Sequence, residues 1–223
     1  MNINYYKTIV FDCDGVILNS NKVKTEAFYN TALSYGDIAA KALVEYHITK
    51  GGISRYEKFD YFLNVIVPAG SNGPNIEELI NCYACEVRKG LFSCEVTVGL
   101  PQLRASTPNS RWMIVSGGDQ KELLDVFAFR GMADYFDGGI FGSPACKDEI
   151  FDRELKNGNL QLPALFLGDT QYDHQSAERA VLDFVFISGW SEFTGWKEYV
   201  QNKIIPCYTS IDEFVQKKVM IDK

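Results

Sequence analysis

The sequence predicts an α/β fold: a mainly parallel sheet with a helical insertion after its first strand. Two patterns predict it. In the second half of the chain, short apolar runs alternate with segments of helical apolar spacing, as strand–helix units do when they feed a parallel sheet. One further apolar run stands alone near the N-terminus, separated from the rest by a long stretch of helical texture.

Thr8-Ile9-Val10-Phe11 reads as a buried strand that carries Asp12-Cys13-Asp14-Gly15 at its C-terminal end. The spacing then predicts helices over 20–35, 37–48, 53–67 and 75–92. Their breaks fall at Gly36, at Gly51-Gly52 and in the turn-rich stretch between Pro68 and Pro74. The next buried strand is Trp112-Met113-Ile114-Val115, running into a turn at Ser116-Gly117-Gly118. A helix over 119–130, a short strand near 139–141 and a helix over 147–156 follow. Then come the strand Ala164-Leu165-Phe166-Leu167, a helix over 172–181 and the strand Phe184-Val185-Phe186-Ile187. Residues 210–219 read as a surface helix opened by Ser210 and Glu213. The expected division is a core of residues 1–16 and 98–223 and an insertion of 17–97, with linkers near 15–20 and 91–99.

A chain of 223 residues suits this plan and buries enough surface to need no disulfide staples. The net charge of −7, with no basic run long enough to follow a phosphate backbone, argues against DNA or RNA as a partner. Lys217-Lys218 reads as a solvated helix face. No stretch is apolar and long enough to span a bilayer, and residues 1–7 are polar, so the expected location is the cytoplasm. Of the six cysteines only Cys82 and Cys85 are close. Zinc needs four ligands and no second pair lies nearby, so they read as small apolar residues on a buried helix face. A redox pair is the minor alternative. The sequence is silent on oligomeric state.

Four polar signatures lie at or just beyond the strand ends, where open α/β sheets place their ligand crevice. Asp12 and Asp14 are two apart, so in extended backbone both face one side. Paired carboxylates repel unless a cation sits between them, and a hard, oxygen-seeking ion such as Mg²⁺ suits them. Ser116 and Gly117 offer a hydroxyl and backbone amides to an anion the size of phosphate. Lys147 opens a helix, where a lone lysine is usually exposed. Asp169 ends an apolar strand and Asp173 follows one helical turn later. Helix capping by Asp169 or Thr170 accounts for one acid there, not for both acids and the strand before them.

In order and spacing, Asp12-x-Asp14-Gly-Val, Ser116, Lys147 and Gly168-Asp169-x-x-x-Asp173 resemble the haloacid dehalogenase superfamily, over about Thr8 to Ser188. The insertion is similar to the small helical cap of its phosphoglycolate phosphatase and β-phosphoglucomutase branch. The resemblance implies a Rossmann-like core and a Mg²⁺-dependent phosphatase of small phosphorylated metabolites. It implies Asp12 as the nucleophile that becomes an aspartyl-phosphate and Asp14 as the general acid and base. It further implies Ser116, Gly117 and Lys147 as phosphate holders, with Lys147 also catalytic. Asp12, Asp169 and the Asp14 backbone carbonyl would ligate the metal, with Asp173 either joining them or orienting Lys147.

Lys50-Gly51-Gly52-Ile53-Ser54-Arg55 is similar to the specificity loop of the mutase branch, which implies that Arg55 binds an anionic substrate group. Two positions depart from the mutases: Lys24 stands where they carry a histidine, and Asn19 where many members carry an acid. A phosphomutase is therefore the second enzymatic reading, and a binding or regulatory module that keeps the fold is the non-enzymatic one. His47 and His174 belong to no matched motif, and Trp190, Phe193 and Trp196 read as packing residues.

Overall fold

The computed structural model describes residues 2–219. After β1 (Thr8–Phe11), the chain builds α1 (Asn21–Ala32), α2 (Asp37–Thr49), α3 (Arg55–Tyr61) and α4 (Ile76–Ser93). It continues through α5 (Leu100–Ser106), β2 (Arg111–Asp119), α6 (Gln120–Phe129), β3 (Ile140–Ser143), α7 (Lys147–Lys156) and β4 (Ala164–Gly168). The last elements are α8 (Gln171–Ala180), β5 (Asp183–Ile187), α9 (Trp196–Lys203), β6 (Cys207–Tyr208) and α10 (Ile211–Phe214). The strands form one parallel sheet in the order β3-β2-β1-β4-β5-β6. The fold is an α/β, Rossmann-like core capped by helices.

Period-two alternation sorts the strands into two cores. Ile9, Phe11, Trp112, Ile114, Leu165 and Leu167 face one side with residues of α5, α6 and α10. Val10, Met113, Val115, Phe166 and Phe184 face the other with residues of α7, α8 and α9. Both faces are covered, which is why these strands read as continuous apolar runs. The chain builds outward from β1 to β3, then crosses back to place β4 on the other side of β1. That reversal opens a crevice between the carboxyl ends of β1 and β4, where the Asp12 amide bonds the Leu167 carbonyl at 2.9 Å.

The helices α1–α4 form the cap around Phe28, Phe59, Tyr83, Leu43 and Leu79. The Phe28 ring lies 4.3 Å from Tyr83 and 5.3 Å from Phe59, centroid to centroid. The connections to the core pair with one another: Asn19 donates its amide to Glu95 and Thr97 to Ile17, each at 2.9 Å. Because α4 reaches Ser93, the return connection is shorter than the expected 91–99.

Several elements differ from expectation. β2 continues beyond Val115 through Ser116-Gly117-Gly118, where a turn was expected. The step from Val115 to Asp119 faces only the step from Phe141 to Ser143, so β2 carries a bulge there. The helices α5 and α9 and the strand β6 have too few apolar positions for their period to register. Cys82 and Cys85 are exposed, not buried. The α4 face that packs against the cap core is Leu79, Tyr83, Val87 and Leu91 instead. The C-terminal helix docks on the sheet through buried Ile211, Phe214 and Val215. Lys217 is solvated as expected, and the side chain of Lys218 lies outside the described residues.

Trp112 is fully buried in the centre of the sheet, 4.8 Å from the Phe11 ring, and donates its indole N–H to Thr107 Oγ1 at 3.1 Å. Trp112→Ala is expected to destabilise the fold by roughly 3–5 kcal/mol in urea unfolding, and Trp112→Phe by less.

Candidate active site

Lys147 is the first residue of α7, yet its side chain is fully buried. Its ammonium donates to Asp12 Oδ1 at 2.8 Å and to Asp173 Oδ1. Burial opposes this charge, and the two carboxylates outweigh that opposition and hold Lys147 protonated. Lys147 escapes the usual exposure of a helix-opening lysine because two acids reach it, Asp12 from the end of β1 and Asp173 from the first turn of α8.

Asp173 is saturated. Its Oδ2 accepts from the Thr170 hydroxyl at 2.6 Å, the Thr170 amide at 3.0 Å and the Asp169 amide at 3.2 Å. Thr170, not Asp169, is the helix N-cap, and with Asp173 it forms a capping box. Asp169 accepts from the Asn21 amide at 2.9 Å. Its own carbonyl accepts from Ser191 Oγ at 2.6 Å. A Cβ on Gly15, whose φ is +77°, would collide with the Asp169 carboxylate, so a glycine is what lets the β1 loop close on β4.

Carboxylate oxygens of Asp12, Asp169 and Asp173 lie within 4.8 Å of one another, all buried. Burial first, then the neighbouring acids, raises Asp169 well above the usual carboxylate range. Burial pushes Asp12 up to about 7 against the pull of Lys147. One lysine does not balance three buried acids, and the donors gathered there are all oxygens. This donor set fits a divalent hard cation such as Mg²⁺. Asp12 and Asp169 keep oxygens free for it, whereas both Asp173 oxygens are engaged.

The Asp14 carboxylate stands outside that group. It accepts from Ser20 Oγ and Lys24 Nζ, each at 2.6 Å. Burial pushes it up, but Lys24 and Ser20 outweigh burial and hold it below the usual range. Ser116 is buried, with Oγ 3.5 Å from Asp14 Oδ2 and accepting from the Gly118 amide at 3.0 Å.

A cavity of about 330 Å³ joins these groups to the cap. The 50–53 loop lines it and approaches the core closely: a Cβ on Gly117 would collide with the Gly52 carbonyl. Tyr56 donates to Asp119 at 2.8 Å. Arg55 lines the cavity but is not the surface residue a flexible turn suggests. It is buried, lies over the Tyr83 ring at 4.6 Å, and is gripped by both Glu122 oxygens at 2.5 and 3.2 Å. The structure thus brings Asp12, Asp14, Ser116, Gly117, Asp169, Asp173 and Lys147 to one end of the crevice, with Arg55 on its cap side.

Sequence reasoning missed Asn21, the Lys24–Asp14 pair, Glu122 and the Lys58–His47 pair. Of these Lys24 carried a signal, standing where the resembled mutases have a histidine. Phe193 lines the cavity as well as packing, whereas Trp196 stacks on Phe186 and His174 bonds Tyr199, both away from the site.

A crevice at a sheet reversal that gathers a strand-end aspartate, a buried lysine and an acidic cluster able to hold a cation, beneath a helical cap, is the site of a hydrolase with an α/β core. The haloacid dehalogenase-like hydrolase family model matches residues 6–180, and the chain belongs to that family. No curated protein matches the chain in sequence. Solved structures with the same fold include a predicted phosphatase from Clostridium acetobutylicum, at 17% identity over 98% of this chain and 99% of that one, TM-score 0.71. A predicted phosphoglycolate phosphatase from Haemophilus somnus aligns at 15% identity over 96% and 99%, TM-score 0.74. A β-phosphoglucomutase from Clostridium difficile aligns at 19% over 97% and 98%, TM-score 0.71. No described helix is long and apolar enough to cross a membrane.

Cation binding requires ionised acids, and Asp12 and Asp169 are raised. Mg²⁺ affinity is therefore expected to fall as pH drops below about 7, with proton release on binding near that pH. Titration calorimetry in buffers of different ionisation enthalpy measures both effects. A double-mutant cycle tests the Arg55–Glu122 latch. Arg55→Ala and Glu122→Ala are expected to weaken kcat/KM to a similar extent, with a coupling of about 1–3 kcal/mol in the double variant.

Proposed function

We propose that this protein is a Mg²⁺-dependent phosphatase of small phosphorylated metabolites that works through an aspartyl-phosphate on Asp12. The observation that carries the reading is the buried Asp12–Lys147–Asp173 chain, whose Asp12 faces a cavity also lined by Lys24, Arg55 and Lys58.

In this mechanism an Asp12 oxygen attacks phosphorus. The ester P–O bond breaks, and the departing oxygen takes a proton from Asp14 and leaves as an alcohol. Water then attacks the aspartyl-phosphate, giving its proton to Asp14 and releasing inorganic phosphate. Asp14 gives its proton in the first step and recovers one from the attacking water in the second, and Lys24 and Ser20 orient it and stabilise the carboxylate that exists between the two steps. Lys147, Ser116 and the Gly117 amide hold the phosphoryl oxygens, and Asp173 fixes Lys147 by consuming its own oxygens. Mg²⁺, held by Asp12 and Asp169 with the Asp14 carbonyl, would neutralise phosphoryl charge. Residues 17–97 act as the cap that excludes water, with Arg55 latched to Glu122 in the closed state. Arg55 thereby shapes the specificity of the site from its cap side.

A screen of phosphorylated metabolites is expected to find turnover that EDTA abolishes and that Asp12→Asn lowers by at least about a thousandfold. Activity surviving Asp12→Asn rejects the covalent mechanism. Turnover strictly dependent on a bisphosphate activator replaces hydrolysis with a mutase reaction.

A further inference from the structure

Three buried cations line the cavity: Lys24, Arg55 and Lys58. Lys24 is neutralised by Asp14 and Arg55 by Glu122. Lys58, on α3, is the exception. It is 3% exposed and has no carboxylate at ion-pair distance among the described residues. Its hydrogen-bond partner is His47 Nδ1, from α2, at 2.7 Å. The two side chains flank Phe28: the His47 ring is 4.5 Å from the Phe28 ring and the Lys58 ammonium 5.4 Å from it.

A buried ammonium without a counter-charge is a costly arrangement, and proteins keep one where a ligand completes it. Burial and repulsion from Lys24 lower Lys58 to about 7, and burial holds His47 well below its usual value and therefore neutral. When a charged Lys58 donates to Nδ1, the His47 proton lies on Nε2, a second donor of the pair. Its one formal charge matches a singly charged group better than a second phosphate.

We infer that Lys58 and His47 form a carboxylate subsite, so that the substrate is a small phosphomonoester bearing a carboxylate. This deepens the phosphatase reading and rests on it for the phosphate end. It moves recognition of the second anion away from Arg55, whose guanidinium already has a partner. Phosphate beside Asp12 and carboxylate beside Lys58 would place the substrate along the length of the cavity.

Binding of two non-hydrolysable probes in the presence of Mg²⁺ tests this without turnover. Phosphonoacetate and methylphosphonate differ by one carboxylate. The protein is expected to prefer phosphonoacetate by about tenfold or more, the worth of one charge-assisted hydrogen bond in a desolvated site. Lys58→Met is expected to bring that ratio close to one and, by removing an unpaired buried charge, not to lower the melting temperature. Lys58→Arg, which restores a cation, is expected to regain part of the preference. A ratio unaltered in Lys58→Met, or no preference in the parent protein, overturns the inference. So does a Lys58-dependent preference for methylenediphosphonate in place of phosphonoacetate. Because binding is read separately from hydrolysis, loss of the subsite and loss of phosphatase activity are distinguishable.

Discussion

The ammonium of Lys147, buried between Asp12 and Asp173, is the constraint on which the site's arrangement depends. Water reaches none of the three groups well, so each charge is held by the others and not by solvent. Asp173 is fixed by the first turn of α8, and Asp12 by the end of β1. The lysine therefore ties three separate parts of the chain to one point. It also leaves an excess of negative charge beside Asp169 that a cation would offset. Sheet topology supplies the location, because the reversal between β1 and β4 opens the only part of the parallel layer where such groups can meet a ligand.

The cap completes what the sheet begins. Its polar contacts with the core near the site are Arg55 on Glu122, Tyr56 on Asp119, Lys24 on Asp14 and Asn21 on Asp169. Two of these reach acids that also belong to the proposed chemistry. Cap position and the state of Asp14 are thus coupled through Lys24: a displacement of α1 would remove the charge that keeps Asp14 ionised. Gly52 and Gly117 permit the closest backbone approach between the two parts, since a side chain at Gly117 would hold them apart.

Much of this was legible in the sequence because strand ends carry their own signal. A wholly apolar run that stops at an acid, as at Asp12 and Asp169, has few explanations other than a site, and β1 and β4 themselves emerged within a residue of expectation. Cap helices were visible through their glycine breaks. What stayed hidden depended on partners distant in the chain. Nothing local to Glu122 announces that Arg55 will reach it, and nothing near Lys58 announces a missing counter-charge. Helix phase was hidden too: α4 buries Tyr83 and exposes Cys82 and Cys85, a rotation set by packing against α1 and not by composition. The bulge at Ser116–Asp119 escaped because Ser-Gly-Gly reads as a turn, whereas pairing with β3 resumes beyond it.

The two chain crossings between sheet and cap are stitched side by side through Asn19–Glu95 and Ile17–Thr97. A pair of joined ribbons bends readily across its flat face and resists shear or twist. Any movement of the helices relative to the sheet would thereby be confined to a single arc, one that keeps Lys24 and Arg55 aligned with the acids they contact here. Registry between lid and sheet is then a property of the stem, not of the molecule enclosed beneath it.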